Sequence, residues 1–243
     1  MRRGTRPRTK DPFDPVNEPF LPRPAGIAFD LDGTLVDTVD ARIDGWLEAL
    51  RAAGIAATRE QVAPMIGMDG KRLAREVAAS SGRELSDDET EAIDRAAGGA
   101  FDRLNREPRP LPGSHALLAY LSDLGIPWVI ATSSRAKQVR ASVAALGLPA
   151  QPTIVDGSQV ERAKPAPDLL LRAAERLGVA PRDCWAVGDS TWDIRASRAA
   201  GMAAIAVTVG SAVGGDVLRE SGASLVVGTL DELRGVLRAG LLG

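Results

Sequence analysis

The residues best suited to chemistry are two aspartates, Asp30 and Asp32, which directly follow the apolar run 27–29. The run predicts a strand, and Gly33 permits a sharp turn behind it, so both carboxylates can reach one point beyond the strand's carboxyl end. Two carboxylates this close repel each other unless one is protonated or both share a cation. Mg²⁺ resolves the conflict because it prefers oxygen ligands and also neutralises phosphate. The turn therefore indicates phosphoryl chemistry with an aspartate nucleophile, and capping aspartates before a helix are the alternative.

Chemically useful side chains also follow three later segments of the chain. Thr132 and Ser133 end one apolar run, Asp189 and Asp193 follow another, and Lys164 precedes a strongly periodic helix. This lysine is one of only four in a chain whose 30 basic residues are otherwise arginines. A compact ammonium beside a carboxylate and a phosphate differs chemically from a planar guanidinium, which indicates a role for the lysine. An ordinary surface lysine is the other interpretation.

In this order, these motifs resemble the haloacid dehalogenase superfamily of aspartate-nucleophile hydrolases, over roughly residues 25–232. The likeness includes Asp-x-Asp-Gly-Thr at the first turn and Val-Asp-Gly before the lysine. It implies that Asp30 attacks phosphorus and becomes an aspartyl phosphate. It also implies that Asp32 protonates the leaving oxygen and then deprotonates the hydrolytic water.

The resemblance assigns the remaining groups to phosphate. Thr132 and the backbone amide of Ser133 would hydrogen-bond the phosphoryl oxygens, and Lys164 would pair with the phosphate and the nucleophile. Gly33 belongs to the same predicted substrate-binding set.

A magnesium site is also implied by the resemblance. The Asp30 carboxylate, the Asp32 backbone carbonyl and Asp189 would hold Mg²⁺, with Asp193 as a further ligand or an orienting group. Trp192 lies between the last two aspartates, where packing against a neighbouring helix is the expected role.

The segment between the first turn and about Pro112 has helical periodicity. Two stripes show the spacing, Ile43, Trp46, Leu47 and Leu50, and Ala97, Ala100, Phe101 and Leu104. No comparable alternating run of β-branched residues interrupts them, so the segment predicts an all-helical insertion.

From Leu111 onward the chain alternates helices with predicted strands, which fall at 126–131, 152–155, 184–187, 203–207 and 225–227. This alternation predicts an α/β fold, a Rossmann-like doubly wound parallel sheet whose ligands bind outside the carboxyl ends of the strands. We therefore expect a core domain of residues 25–37 and 111–243 with an inserted helical cap domain of residues 38–110. The basic, proline-rich residues 1–24 predict a disordered extension.

An insertion at this position would cover the site, and the resemblance implies the small helical cap of the superfamily's first subclass. A cap excludes water and limits substrate size, so we expect a small phosphorylated metabolite as substrate. The turn at 66–72 resembles the substrate-reading loop of such caps and contains Gly67. Lys71 or Arg72 would then pair with a second anionic group of the substrate, and charges that simply face solvent are the alternative.

Composition excludes several classes of protein. The net charge of −2 gives no reason to expect nucleic acid as a partner. No stretch approaches the length of a membrane span, so no membrane association is expected. The single cysteine, Cys184, excludes an internal disulfide and predicts a cytoplasmic location. A monomer and a homodimer both stay open.

The expected function is that of a Mg²⁺-dependent phosphatase, a phosphoric monoester hydrolase similar to the phosphoglycolate phosphatases and β-phosphoglucomutases. The resemblance implies tyrosine at position 32 in dehalogenases and alanine in phosphonate hydrolases, so Asp32 argues against both. A phosphosugar mutase is the alternative because it uses the same aspartate pair. A catalytically silent binding module would be marked by loss of Asp30, Asp32 or Lys164, and all three are present.

Overall fold

Six parallel strands form the central sheet of the protein, for which a computed structural model describes residues 21–240 apart from the side chains of Ala136 and Lys137. The strands in chain order are β1 (Gly26–Phe29), β2 (Val36–Asp37), β3 (Arg109–Pro110), β4 (Trp128–Thr132), β5 (Ile154–Asp156), β6 (Cys184–Gly188), β7 (Ala203–Val207) and β8 (Leu225–Val227). The sheet has the order β5-β4-β1-β6-β7-β8, and β2 and β3 form a separate antiparallel ribbon.

The described residues also form ten α-helices. In chain order these are α1 (Val39–Ala52), α2 (Arg59–Val62), α3 (Gly70–Ser80), α4 (Asp87–Leu104), α5 (Ser114–Asp123), α6 (Ala136–Ala145), α7 (Asp168–Leu177), α8 (Thr191–Ala199), α9 (Gly215–Glu220) and α10 (Leu230–Ala239).

Helices cover both faces of the sheet. In β1, Ile27 and Phe29 belong to one buried cluster and Ala28 to another, because successive side chains of a strand point to opposite faces. The first cluster includes buried residues of α5, α6 and α10, and the second includes buried residues of α7 and α8. This arrangement confirms the predicted α/β fold with a doubly wound parallel sheet.

The strand order determines which strand ends are neighbours. β1 pairs in parallel with β4 on one side and with β6 on the other. The residues that follow these three strands therefore meet at one edge of the sheet, where open α/β sheets bind their ligands.

Two strands start later than the sequence pattern predicts. β4 begins at Trp128, because the amide of Ile126 donates to the Leu121 carbonyl at the end of α5 and so belongs to the helix terminus. β5 begins at Ile154, after Pro152, which has no amide hydrogen to contribute to a ladder.

Helices α1 to α4 form the insertion and share one buried cluster, to which Trp192 of α8 also belongs. Ile43, Trp46 and Leu50 are buried in it, as the first periodic stripe predicts. Leu104, the last member of the second stripe, is 49% exposed because it stands in the final turn of α4. The structure thus confirms a helical insertion.

The β2–β3 ribbon lies where the chain enters and leaves the insertion. Val36 pairs with Pro110 and Asp37 with Arg109. The last two residues of the predicted cap are therefore extended rather than helical. We propose that the cap domain comprises residues 38–110, next to this ribbon.

The predicted N-terminal extension lies mostly outside the described residues. Of its last four residues, Leu21 packs against the main core cluster, and the Pro22 carbonyl accepts a hydrogen bond from Trp185 Nε1 at 3.1 Å. Between residues 21 and 240, the structure contains no helix with both the length and the apolar character that a membrane crossing requires.

Candidate active site

Asp30 and Lys164 form the centre of the site. Asp30 directly follows β1, and its Oδ1 lies 2.6 Å from the Lys164 ammonium. The same ammonium lies 2.6 Å from Asp193 Oδ1. The lysine side chain is 2% exposed, so it joins two carboxylates from distant parts of the chain inside the protein.

Burial determines the electrostatics of this group. Burial, with the nearby Asp193 and Asp32, raises the pKa of Asp30 to about 7, although Lys164 acts in the opposite direction. Burial also opposes the charge on Lys164, but Asp193 and Asp30 outweigh it and raise the pKa of the ammonium. The lysine therefore stays protonated beside the carboxylates.

Three carboxylates at the site are placed to share a metal ion. Asp30, Asp189 and Asp193 each present an oxygen, and these oxygens lie within 4.8 Å of one another. Burial and the other two carboxylates raise the pKa of Asp189 well above its ordinary value. A buried group of oxygen donors with too little positive charge is the ligand set that a hard divalent cation requires, so these residues fit Mg²⁺.

Gly33 and Thr34 lie against the carboxylate of Asp189 and position it. Thr34 Oγ1 donates to Asp189 Oδ1 at 2.9 Å. Gly33 has a φ of +79°, and a Cβ there would lie 2.5 Å from Asp189 Oδ2. Any side chain at 33 would displace the carboxylate, and Gly33 does not itself line the cavity of the site.

Asp32 is held by donors from both domains. Ser134 Oγ donates to its Oδ2 at 2.7 Å, and Thr38 Oγ1 donates to its Oδ1 at 2.8 Å. Arg42 of α1 forms an ion pair with Oδ2 at 2.7 Å, and its guanidinium lies 3.6 Å from the ring centre of Phe101. Burial alone would raise the pKa of Asp32, but Arg42 and the two hydroxyls outweigh it and lower the pKa below its ordinary value. The Asp32 carboxylate is not one of the three that lie close enough to share a metal ion, so only its backbone carbonyl remains for the predicted metal site.

Thr132 is the last residue of β4, the neighbour of β1 in the sheet, and Ser133 follows it. Thr132 is buried, and its Oγ1 accepts a hydrogen bond from the Ser134 amide at 3.1 Å. Ser133 Oγ is buried and has no hydrogen-bond partner within residues 21–240. A buried hydroxyl without a partner is costly, so it fits an oxygen atom of a ligand.

A cavity of about 460 Å³ lies between these residues and the cap. Asp30, Asp32, Thr132, Ser133, Lys164, Asp189 and Asp193 line it from the core. Its cap side is lined by both apolar and charged residues, among them Trp46, Met68, Asp94, Arg95, Phe101 and Asp102. The size suits a small ligand.

The predicted substrate-reading turn divides into two parts. Gly67 lines the cavity, whereas Lys71 and Arg72 do not. Lys71 forms an ion pair with Glu91, and Arg72 forms one with Glu76 at 2.6 Å. Both basic side chains lie at the surface of the cap, at 43% and 50% exposure. The structure therefore places these two charges in surface ion pairs, away from the cavity.

Sequence analysis missed Arg42, Thr38 and Ser134 as partners of Asp32. Ser134 could have been predicted, because it ends the same run of hydroxyl residues as Ser133. Arg42 precedes the first residue of a buried helical stripe, but no spacing along the chain reports its distance from Asp32.

Known proteins resemble this chain over most of its length. Residues 27–207 match the haloacid dehalogenase-like hydrolases. Hexitol phosphatase A of Escherichia coli (strain K12) is 36% identical over 215 residues, which cover 86% of this chain and 92% of that protein. A phosphoglycolate phosphatase of Xylella fastidiosa (strain 9a5c) is 32% identical over 195 residues, which cover 77% and 82%. The crystal structure of a hydrolase from Pseudomonas syringae is 30% identical and superposes with a TM-score of 0.84, covering 88% of this chain and 98% of that one.

Both relatives are phosphatases, which confirms the predicted enzyme class, a hydrolase of phosphoric monoesters. The family match covers far more than half of the sequence and includes the first turn, the lysine and the last acidic pair. By this match, the chain belongs to the haloacid dehalogenase-like hydrolases.

Proposed function

We propose that the protein is a Mg²⁺-dependent phosphatase that hydrolyses a small phosphate monoester through an aspartyl phosphate on Asp30. The observation that carries the proposal is the buried contact of 2.6 Å between Asp30 and Lys164, next to carboxylates that fit a metal ion. The protonated Lys164 favours the ionised form of Asp30 against the effect of burial, and it attracts a phosphate dianion to the nucleophile.

The first step transfers the phosphoryl group to the enzyme. A carboxylate oxygen of Asp30 forms a bond to phosphorus while the bond from phosphorus to the leaving oxygen breaks. In the free enzyme Arg42, Ser134 and Thr38 lower the pKa of Asp32, so its acid form arises when a bound phosphate dianion raises that pKa and the carboxylate takes a proton from solvent. Protonated Asp32 then gives this proton to the leaving oxygen, which departs as an alcohol. The hydroxyls of Thr132 and Ser133 bind the phosphoryl oxygens, since Ser133 Oγ has no partner within the described residues.

The second step regenerates the enzyme. Asp32, now ionised, takes a proton from a water molecule whose oxygen attacks phosphorus. The bond between phosphorus and Asp30 breaks, inorganic phosphate is released, and Asp32 is again protonated. Lys164 stays charged throughout, and it pairs with Asp30 whenever Asp30 carries no phosphoryl group.

Asp30, Asp189 and Asp193 would hold the metal, with the Asp32 backbone carbonyl as the predicted fourth donor. Bound there, Mg²⁺ supplies positive charge to the phosphoryl group as it is transferred. Gly33 and Thr34 hold Asp189 in position for this role.

The substrate is proposed to be a small phosphorylated polyol or hydroxy acid. The cavity of about 460 Å³ excludes a protein or a polynucleotide, because the cap covers the site. The two relatives are named for hexitol and phosphoglycolate phosphatase activities, and these chemistries define the first compounds to test.

A panel of hexitol phosphates, sugar phosphates and 2-phosphoglycolate, supplied with and without Mg²⁺, tests the proposal. Release of inorganic phosphate is the expected result, and rapidly quenched reactions should contain a peptide phosphorylated at Asp30. Phosphate returned to the sugar instead of to water would identify a mutase. No turnover and no phosphopeptide with any compound would contradict both enzymatic interpretations.

A further inference from the structure

Trp192 lies in α8, a helix of the core, but its side chain is buried among residues of the cap. It is the second residue of α8, between Asp189 and Asp193. Its buried neighbours are nevertheless the members of the cap cluster, and it is 7% exposed. The helices that its indole meets are therefore those of the opposite domain.

Two contacts join the cap loop, residues 63–69, to the start of α8. Trp192 Nε1 donates to the Pro64 carbonyl at 3.0 Å. Gly67 has a φ of +94°, and a Cβ there would lie 2.7 Å from Ser190 Oγ and 3.7 Å from Trp192 Cδ1. The backbone of the cap loop thus rests directly on the first residues of the helix.

The same helix start orients the catalytic lysine. The amide and the Oγ of Ser190 both donate to Asp193 Oδ2, at 3.0 and 2.5 Å. The other oxygen of Asp193 pairs with Lys164, which in turn pairs with Asp30. Contacts therefore run from the cap loop to the nucleophile through Gly67, Ser190, Asp193, Lys164 and Asp30. Trp192 holds the same loop at Pro64.

Two arginines hold the indole from the two domains. The guanidinium of Arg72, from cap helix α3, lies 5.4 Å from the ring centre of Trp192. The guanidinium of Arg195, from α8, lies 5.0 Å from it. Because a cation over an indole is attracted to the ring, these contacts favour a single closed position of the tryptophan.

We propose that Trp192 is a positioning residue that anchors the cap loop to the start of α8 and so couples closure of the cap to the alignment of Lys164 with Asp30. The inference rests on the proposed function, in which this lysine and this aspartate act on phosphate. Trp192 acts through the backbone of α8 and through Ser190 and Asp193.

Trp185 provides a matched control. Its indole nitrogen also donates to a proline carbonyl, that of Pro22 at 3.1 Å, but it lies in the core cluster. Trp192→Phe and Trp185→Phe each keep an aromatic ring and remove the N–H donor together with part of the indole, so Trp185→Phe controls for the lost volume. Hydrogen exchange of both variants and of wild type is measured with Mg²⁺ and inorganic phosphate, and kcat/KM is measured with Mg²⁺ alone.

In Trp192→Phe, amide hydrogen exchange of residues 63–69 should accelerate at least about fivefold, because a buried carbonyl loses its donor. The kcat/KM for p-nitrophenyl phosphate should fall about tenfold, because the loosened loop no longer holds Lys164 in line with Asp30. Trp185→Phe should leave both quantities within about twofold of wild type. Gly67→Ala should reproduce both effects, and the double variant should be little worse than either single one.

Equal loop exchange in the two phenylalanine variants would overturn the anchor. Faster loop exchange in Trp192→Phe with unchanged kcat/KM would overturn the coupling. A wild-type protein without phosphatase activity would instead contradict the proposed function, and the exchange difference would then decide the anchor independently.

Discussion

The candidate site in the core and the surface of the cap use charged residues in opposite ways. In the core, Lys164 and its carboxylate partners are almost completely buried, at 2% to 10% exposure. In the cap, ion pairs such as Arg59 with Asp40 lie in solvent, where each contributes only about 0–1 kcal/mol. Buried charge is costly to maintain, so its concentration at one edge of the sheet indicates chemistry rather than stability.

Arg42 departs from this division. It belongs to cap helix α1, yet its side chain lies in the site and pairs with Asp32. The cap therefore contributes a charge to the chemistry as well as a cover for it. Variants in the two regions should separate these contributions, with the largest effects in the core.

Asp30→Asn should reduce kcat at least about 10⁴-fold, because it removes the proposed covalent nucleophile. Steady-state hydrolysis of the best substrate of the panel measures the effect. Asp183→Asn changes an exposed aspartate of the same domain and should leave activity near that of wild type. Turnover retained in Asp30→Asn would contradict the mechanism.

Removal of divalent metal with a chelator should abolish hydrolysis to below about one thousandth, and added Mg²⁺ should restore it. Mg²⁺ should also raise the Tm of wild type, because it relieves the repulsion among Asp30, Asp189 and Asp193. Asp189→Asn should reduce this gain in Tm. Full activity in chelator would show that the carboxylates serve another purpose.

Arg42→Ala should lower kcat/KM for an alkyl phosphate about 10- to 100-fold, part of the roughly 10²- to 10⁴-fold that a positioned acid or base contributes. The loss should be smaller for p-nitrophenyl phosphate, whose leaving group needs little protonation. Arg59→Ala removes another cap arginine that pairs with aspartates, and should have little effect. Equal losses for both leaving groups in Arg42→Ala would place Arg42 outside the acid–base step.

Lys71→Ala should change kcat/KM by no more than about twofold, since Lys71 forms an exposed ion pair. Arg72→Ala also removes the cation over Trp192, so it should lower kcat/KM more than Lys71→Ala does, and to the same extent for every substrate. Hydrolysis of phosphate monoesters with and without a second anionic group measures these effects. A selective rise in KM for anionic substrates would restore the prediction that one of them binds a second anionic group. The cap would then contribute more charge to the site than Arg42 alone.

The nucleophile and lysine illustrate what could be predicted. Apolar runs that end in Asp30, Thr132 and Asp189 predict parallel strands, and parallel strands bring their carboxyl ends to one edge. The helical cap follows equally from periodicity. Strand boundaries do not follow from the same pattern, because Ile126 is as apolar as a strand residue and only its hydrogen bond to Leu121 assigns it to the end of α5.

The sequence by itself determined the fold class, the order of the elements and the residue types at the strand ends, because these depend on local patterns of polarity and on turn-forming residues. Only the tertiary structure decided that Arg42 reaches Asp32, that Lys71 and Arg72 form ion pairs at the surface of the cap, and that Trp192 is buried in the cap. These contacts depend on the angle at which the cap helices meet the sheet. That angle is set by side-chain packing between residues far apart in the chain, which no spacing along the sequence records.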